Sequence, residues 1–230
     1  MTNSILHSKR ILITVGPTQE AIDPVRFISN HSTGKMGYAI AEKLHSLGAI
    51  VRVVSGPTNV KTSLPKELIT NVVSADEMLV STQKFADDVD IIIFSAAVSD
   101  YKCVNIAAQK IKKSENSFLI ELVPNPDIAF ELSKNKKHDQ TFIGFALETE
   151  NGVEHAISKM KKKKFDSVVL NIQKENGVGF GYDTNRIQII DSDTTITNYA
   201  LKLKSDVAAD IVNHIEGKLK ANLNIAQPAI

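Results

Sequence analysis

The chain has 230 residues, 43% of them hydrophobic, with 27 Lys and Arg against 26 Asp and Glu. That length and balance predict one globular domain with helices on both faces of its core, and a net charge of +1 leaves no broad field for nucleic acid, so anion binding falls to locally placed Lys and Arg. The single Cys103 excludes an internal disulfide and a cysteine-rich metal centre, the stretch Met1 to Ser8 is too polar for a signal peptide, and no apolar run approaches the roughly 20 residues of a membrane span. A cytoplasmic protein without a membrane partner is expected.

In chain order, Arg10 to Val15 reads as a buried central strand and Met36 to Leu47, closed by Gly48, as the helix beside it. Between them lies the polar loop Asp23-Pro-Val-Arg-Phe-Ile-Ser-Asn-His-Ser-Thr-Gly-Lys-Met-Gly37. Strand-like runs follow at Ile50 to Ser55, Asp90 to Ser95, Thr141 to Ala146 and Ser167 to Leu170. Helical periods occupy Ala75 to Phe85, Pro126 to Ser133, Val153 to Lys164 and Lys204 to Lys218. This alternation predicts an α/β fold, doubly wound and mostly parallel, with helices on both faces. Two segments depart from it: Ile111 to Leu122 reads as an exposed loop or ribbon, and Arg186 to Thr197 as a hairpin turning at Asp191-Ser-Asp193. A single domain over 1–220 is expected, with a frayed tail from Ala221 to Ile230.

In an open α/β sheet, ligands lie outside the carboxyl ends of the strands, where helix N-termini offer unpaired N–H groups to anions. Those ends carry Gly16-Pro-Thr18, the Asn30 loop, Ser55-Gly-Pro-Thr58, Ala96-Ala-Val-Ser-Asp-Tyr101, Phe145-Ala-Leu-Glu-Thr149 and Asn171. Neither familiar phosphate loop is present. Gly34-Lys35 lacks both the upstream glycine and the following Ser or Thr of a P-loop, and no G-x-G-x-x-G follows the first strand. Ala96 and Ala97 suit close packing or a ligand at the backbone, and Asp100 suits a metal or hydroxyl contact. Lys159 and Lys163 share a helix face, where both ammonium groups reach one triphosphate or simply serve a solvated helix end. His31, His45, His138, His155 and His214 show no metal-ligand spacing.

The motifs Ile13-Thr-Val-Gly-Pro-Thr18, Asp23 to Asn30, Ser32 to Gly37, Ala96 to Tyr101, Lys110-Ile-Lys-Lys113, Asn125-Pro-Asp-Ile128 and Gly144 to Thr149 together resemble, in that order, phosphopantothenoylcysteine synthetase. The resemblance covers nearly the whole chain and implies a Rossmann-like sheet with an added hairpin and flap. It also implies a stand-alone ligase of coenzyme A biosynthesis without the flavin-dependent decarboxylase half. The implied reaction activates 4′-phosphopantothenate with a nucleoside triphosphate, CTP rather than ATP, releases pyrophosphate, and passes the acyl-nucleotide to the amine of L-cysteine. Mg²⁺ or Mn²⁺ is implied, with Asp100 as its candidate ligand and no flavin. The resemblance places nucleotide contacts at Phe94, Ser95, Ala96, Asp100, Lys110, Pro126, Asp127, Ile128, Ala129, Phe145, Lys159 and Lys163. The two lysines are aligned by allowing one extra residue near Asn151-Gly152. Asn30 is implied in turnover of the acyl-nucleotide, Arg26 near the phosphopantothenate, and Lys110 in a flap. Ser99 and Lys102 stand where the family often has Ala and Arg. A homodimer is implied. A Rossmann-type NAD(P)-dependent reductase and a non-catalytic nucleotide sensor are the competing readings.

Overall fold

A computed structural model describes residues 4–113, 117–148, 150–172 and 181–226. Its main sheet contains β1 (Arg10–Val15), β2 (Ile50–Ser55), β3 (Ile69–Asn71), β4 (Ile91–Phe94), β5 (Thr141–Glu148), β6 (Ser167–Ile172), β7 (Ile187–Asp191) and β8 (Ile196–Asn198). Across the sheet these run β8-β7-β6-β5-β4-β1-β2-β3. Every pair from β6 to β3 is parallel, whereas β7 and β8 join antiparallel. The parallel part therefore has the doubly wound order 3-2-1-4-5-6, whose direction of growth reverses between β1 and β4.

Alternation within the strands divides the core into two layers. Ile11, Ile13, Val15, Ile91 and Ile93 face α1 (Lys35–Ser46) and α5 (Lys204–Ala226), meeting Tyr38, Leu44, Val207 and Ile211. Leu12, Ile92, Phe142, Val168 and Leu170 face α2 (Ala75–Ala86), α3 (Ile128–Ser133) and α4 (Gly152–Lys162), meeting Met78, Leu132 and Met160. Burial on both faces explains why the strands read as continuous apolar runs. Each fully buried Ile or Leu contributes about 1.5–3 kcal/mol.

Several boundaries differ from the sequence reading. The edge strand β3 was not foreseen, since three residues are too few to show a period. Helix α3 begins at Ile128, not Pro126, because Asp127 is its cap and accepts the Phe130 N–H at 3.2 Å. Helix α5 continues past Lys218 to Ala226, with Leu219 still packed against the core. Residues 227–230 of the expected tail and Thr149 of the Gly144 to Thr149 motif lie outside the described residues. The Ile111 to Leu122 segment leads into an antiparallel ribbon pairing Tyr101–Cys103 with Leu122–Pro124; residues 114–116 also lie outside the described residues.

At the end of the sheet where β6 begins, Asp191 accepts hydrogen bonds from His214 at 3.1 Å, from Lys218 at 2.7 Å and from the Ser167 hydroxyl. Burial alone would raise the pKa of this carboxyl, but these three donors outweigh it and hold Asp191 well below the usual carboxylate range. His214 thus ties α5 to the sheet. No described helix is long and apolar enough to cross a membrane.

Candidate functional site

The reversal between β1 and β4 opens a cleft at the carboxyl ends of the strands. Its volume is about 390 Å³, within the range of small-molecule sites. One wall is the loop entering α1, where Gly34 caps the helix at φ +78°, a left-handed conformation that side chains rarely adopt. Asn30 stands just before this loop, after the short hairpin pairing Gln19–Ala21 with Phe27–Ser29. Its Nδ2 donates to the carbonyls of Ala97 at 3.1 Å and Val98 at 3.0 Å. Asn30 therefore braces the loop that follows β4. The same loop is held by the Thr18 hydroxyl, which accepts the Ser99 N–H at 2.9 Å. On its far side the Asn125 amide donates to the Ser99 carbonyl at 2.9 Å, leaving Asn125 Oδ1 buried without a partner.

The second wall joins β4, α3 and α4. The Phe94 ring is buried, packing edge-on to Phe142 at 5.3 Å and tilted on Phe165 at 5.5 Å, so Phe94 meets the cleft through its backbone. Ser95 and Ala96 continue the lining, and the Ala96 N–H donates to the Thr14 hydroxyl at 3.3 Å. Pro126, Asp127, Ile128 and Ala129 supply the α3 entry, and Phe145 closes the cleft from β5. Both candidate lysines, Lys159 in α4 and Lys163 at its C-cap, reach this wall. Lys163 pairs with the capping residue Asp127 at 2.9 Å, and Lys159 with Glu148 at 3.7 Å. A polyanion entering here competes with carboxylates that already hold these ammonium groups.

The cleft thus gathers twelve of the fourteen proposed site residues, Asn30 and Asp100 among them. Arg26 and Lys110 are not in its lining. The Arg26 guanidinium is bound to Asp23 and to the Ile111 carbonyl, and Lys110 is exposed. The structure adds residues that sequence reasoning passed over. Lys35 and Lys204 line the end of the cleft beyond β5, together with Asn185, which donates to Asn171 Oδ1 at 2.9 Å. Lys35 pairs with Asp183 at 2.5 Å and holds that carboxyl below its usual pKa. Lys204 is buried and donates to the Tyr182 carbonyl at 2.6 Å. Burial lowers the Lys204 pKa first and the Lys35 charge adds to this, with Asp183 opposing. One signal was available: a lysine in the first turn of a helix opposes the helix dipole, which usually places cations at the other end.

Among the described residues, no group of three or more His, Cys, Asp or Glu is placed to hold a metal ion. Asp100 is an exposed carboxylate on the cleft, while Asp127 is engaged by Lys163. This donor set fits Mg²⁺ carried chiefly by substrate phosphates, since Mg²⁺ commonly needs only one or two protein carboxylates.

The strand order and the lysine-lined cleft at its reversal define a doubly wound α/β protein with an open cleft at its strand ends. The chain belongs to the family described as DNA/pantothenate metabolism flavoprotein C-terminal domain, whose model matches residues 6–219. It is 42% identical over 211 residues to the coenzyme A biosynthesis bifunctional protein CoaBC of Haemophilus influenzae, covering 91% of this chain and 52% of that protein. It is 44% identical over 215 residues to a protein of an unknown prokaryotic organism named cysteine/cysteine sulfinic acid decarboxylase, covering 94% of this chain and 60% of that one. The chain therefore spans about half to three-fifths of the curated relatives it matches. A crystal structure of the C-terminal domain of CoaBC superposes with a TM-score of 0.78 at 38% identity, over 94% of this chain and 98% of that one.

Proposed function

We propose that the protein is a cytoplasmic ligase that joins 4′-phosphopantothenate and L-cysteine, with CTP as co-substrate, through an acyl-cytidylate. The observation that carries this reading is the convergence in one cleft of residues from five separate segments, all marked by the family resemblance. The near-complete match to the C-terminal domain of a bifunctional coenzyme A biosynthesis protein supports it. The relative named as a decarboxylase is matched over only 60% of its length, so its name is not carried over to this chain. A dinucleotide reductase reading is disfavoured by the first strand, which runs into Gly16-Pro17-Thr18 instead of a G-x-G-x-x-G turn. A nucleotide sensor would have no need of Asn30 at the junction of the two walls.

In this reading the base lies against the backbone of Phe94 to Ala96, the α3 entry and Phe145. The phosphates draw on Lys35, Lys159, Lys163 and Lys204. These charges offset the negative charge that builds as the pantothenate carboxylate attacks the α-phosphorus and pyrophosphate departs. Bound Mg²⁺, with Asp100 as its protein ligand, would supply further neutralisation of the phosphates. The cysteine amine then attacks the acyl carbonyl, the nucleoside monophosphate leaves, and Asn30 orients the loop beside the reacting carbonyl. The exposed side chains of Val25, Phe27, Tyr101 and Ile106, on neighbouring ribbons, support a homodimer formed through that face. A monomer in sedimentation at assay concentration would remove this part of the proposal.

Cytosine presents an N4 donor beside N3 and O2 acceptors, and uracil reverses the first two. UTP would leave buried groups of the pocket unpaired, at about 1–3 kcal/mol each. Adenine would crowd a pocket built for a pyrimidine. The expected order of kcat/KM is therefore CTP above both UTP and ATP under identical Mg²⁺. Equal or better use of ATP would overturn the pocket assignment.

A further inference from the structure

Arg26, one of the two proposed site residues absent from the cleft lining, bonds Ile111, the chain neighbour of the other, Lys110. The Asp23 side chain is fully covered, and every contact it makes is local or to the flap segment. Its Oδ1 accepts the N–H groups of Val25 at 2.8 Å and Arg26 at 2.9 Å. Its Oδ2 accepts Arg26 Nε at 3.0 Å, Arg26 Nη2, and the N–H of Ile111 at 3.1 Å. Arg26 Nη2 also donates to the carbonyl of Ile111 at 2.9 Å. Both peptide groups of Ile111 are thus gripped by one ion pair. The Ala107 N–H, four residues earlier, donates to the Ile22 carbonyl at 3.0 Å, and the Ile22 N–H closes the turn onto Arg26 O at 2.8 Å.

The arch carrying Lys110 is therefore tethered at both ends to a single turn, Ile22 to Arg26. That turn sits in the hairpin whose second strand leads directly into Asn30. Resting on the ligase reading above, we propose that Asp23 and Arg26 are positioning residues, an ion-pair clasp that fixes the Lys110 arch relative to Asn30 for the first half-reaction. The Arg26 guanidinium, helped by the backbone donors, outweighs the opposing effect of burial and holds the Asp23 carboxyl well below the usual carboxylate range, so the clasp stays charged at physiological pH. A neutral amide at position 23 would turn an NH₂ group toward donors it cannot accept from. A lysine at position 26 keeps the charge but loses the two-pronged grip. Misplacing a reacting group by about 1 Å costs on the order of 10²-fold in rate.

The test uses the full chain and two variants, Asp23→Asn and Arg26→Lys, the second keeping the positive charge opposite Asp23 at a half-exposed side chain. Pyrophosphate release with phosphopantothenate and CTP should slow about 10²-fold in each. Adding Lys110→Ala to either should produce little further loss, because the clasp acts through Lys110. Losses that multiply, as for independent sites, or an unslowed first half-reaction in Arg26→Lys, would overturn the proposal. Limited trypsin digestion gives a readout independent of turnover. Arg26→Lys should be cut faster after Lys112 and Lys113 than the unsubstituted protein. Equal cutting would overturn the clasp, whereas an unsubstituted protein that forms no amide yet shows the difference in cutting would overturn only the ligase reading.

Discussion

Asn30→Asp is expected to yield a folded protein that still releases pyrophosphate but forms the final amide about 10²-fold more slowly, the loss that follows when reacting groups are misplaced by about 1 Å. The geometry gives the reason. Asn30 Nδ2 donates to two backbone carbonyls, Ala97 O and Val98 O, at 3.1 and 3.0 Å. An aspartate there offers only oxygens, so both bonds are lost and carboxylate faces carbonyl. Because Asn30 is exposed, solvent relieves much of that repulsion and the fold survives. The loop from Ala96 to Asp100 keeps its ties to the β1 end and to Asn125, the Ala97 N–H donating to Gly16 O at 2.9 Å and the Asn125 N–H to Asp100 O at 2.8 Å, but loses its brace to the Asn30 loop. Rapid-quench analysis should show the acyl-nucleotide accumulating in Asn30→Asp. Undiminished amide formation, or loss of pyrophosphate release, would contradict the role given to Asn30.

The largest effect on stability is expected at Gly56, the residue following β2. A Cβ placed there would lie 1.8 Å from the carbonyl oxygen of Pro17, which is backbone and cannot rotate away. Gly56→Ala must displace either the β1 or the β2 strand end, and overpacking of this kind costs typically about 1–3 kcal/mol and sometimes more. The upper part of that range is expected, because the loop carrying Pro17 also bridges to Ala97 beside the cleft. Urea unfolding should show the loss as a lower midpoint with an unchanged slope. Gly217→Ala, in α5 with nothing within 4 Å of the added carbon, provides the control and should gain about 0.5–1 kcal/mol. Equal stability of the Gly56 variant and the unsubstituted protein would show that the close approach of Gly56 to Pro17 is not as described.

The parallel strands were legible because burial on both faces makes each a continuous apolar run, as in Ile91-Ile-Ile-Phe94. Once those strands were placed, the rule that ligands sit at their carboxyl ends selected the Asn30 loop, Ala96 and Phe145 without any distance being known. What escaped the sequence depends on long-range closure. Nothing local announces that Lys204 joins Lys35 across the cleft, since they are brought together by α5 packing on α1. The spacing of Asp23 and Arg26 is visible, but their common target, Ile111, lies 85 residues beyond Arg26. Asn125-Pro126 reads as a helix entry, yet Asp127 caps α3 while Asn125 braces the Ser99 carbonyl. In each case local chemistry named a capable group, and tertiary structure chose its partner.

Mass analysis of one complete reaction tests the central claim most directly: the chain with 4′-phosphopantothenate, L-cysteine, CTP and Mg²⁺, each omitted in turn. The account predicts 4′-phosphopantothenoylcysteine, CMP and pyrophosphate in equal amounts, with no amide when either acyl acceptor or nucleotide is left out. Absence of the amide from the complete mixture, or its formation without any nucleoside triphosphate, would contradict it.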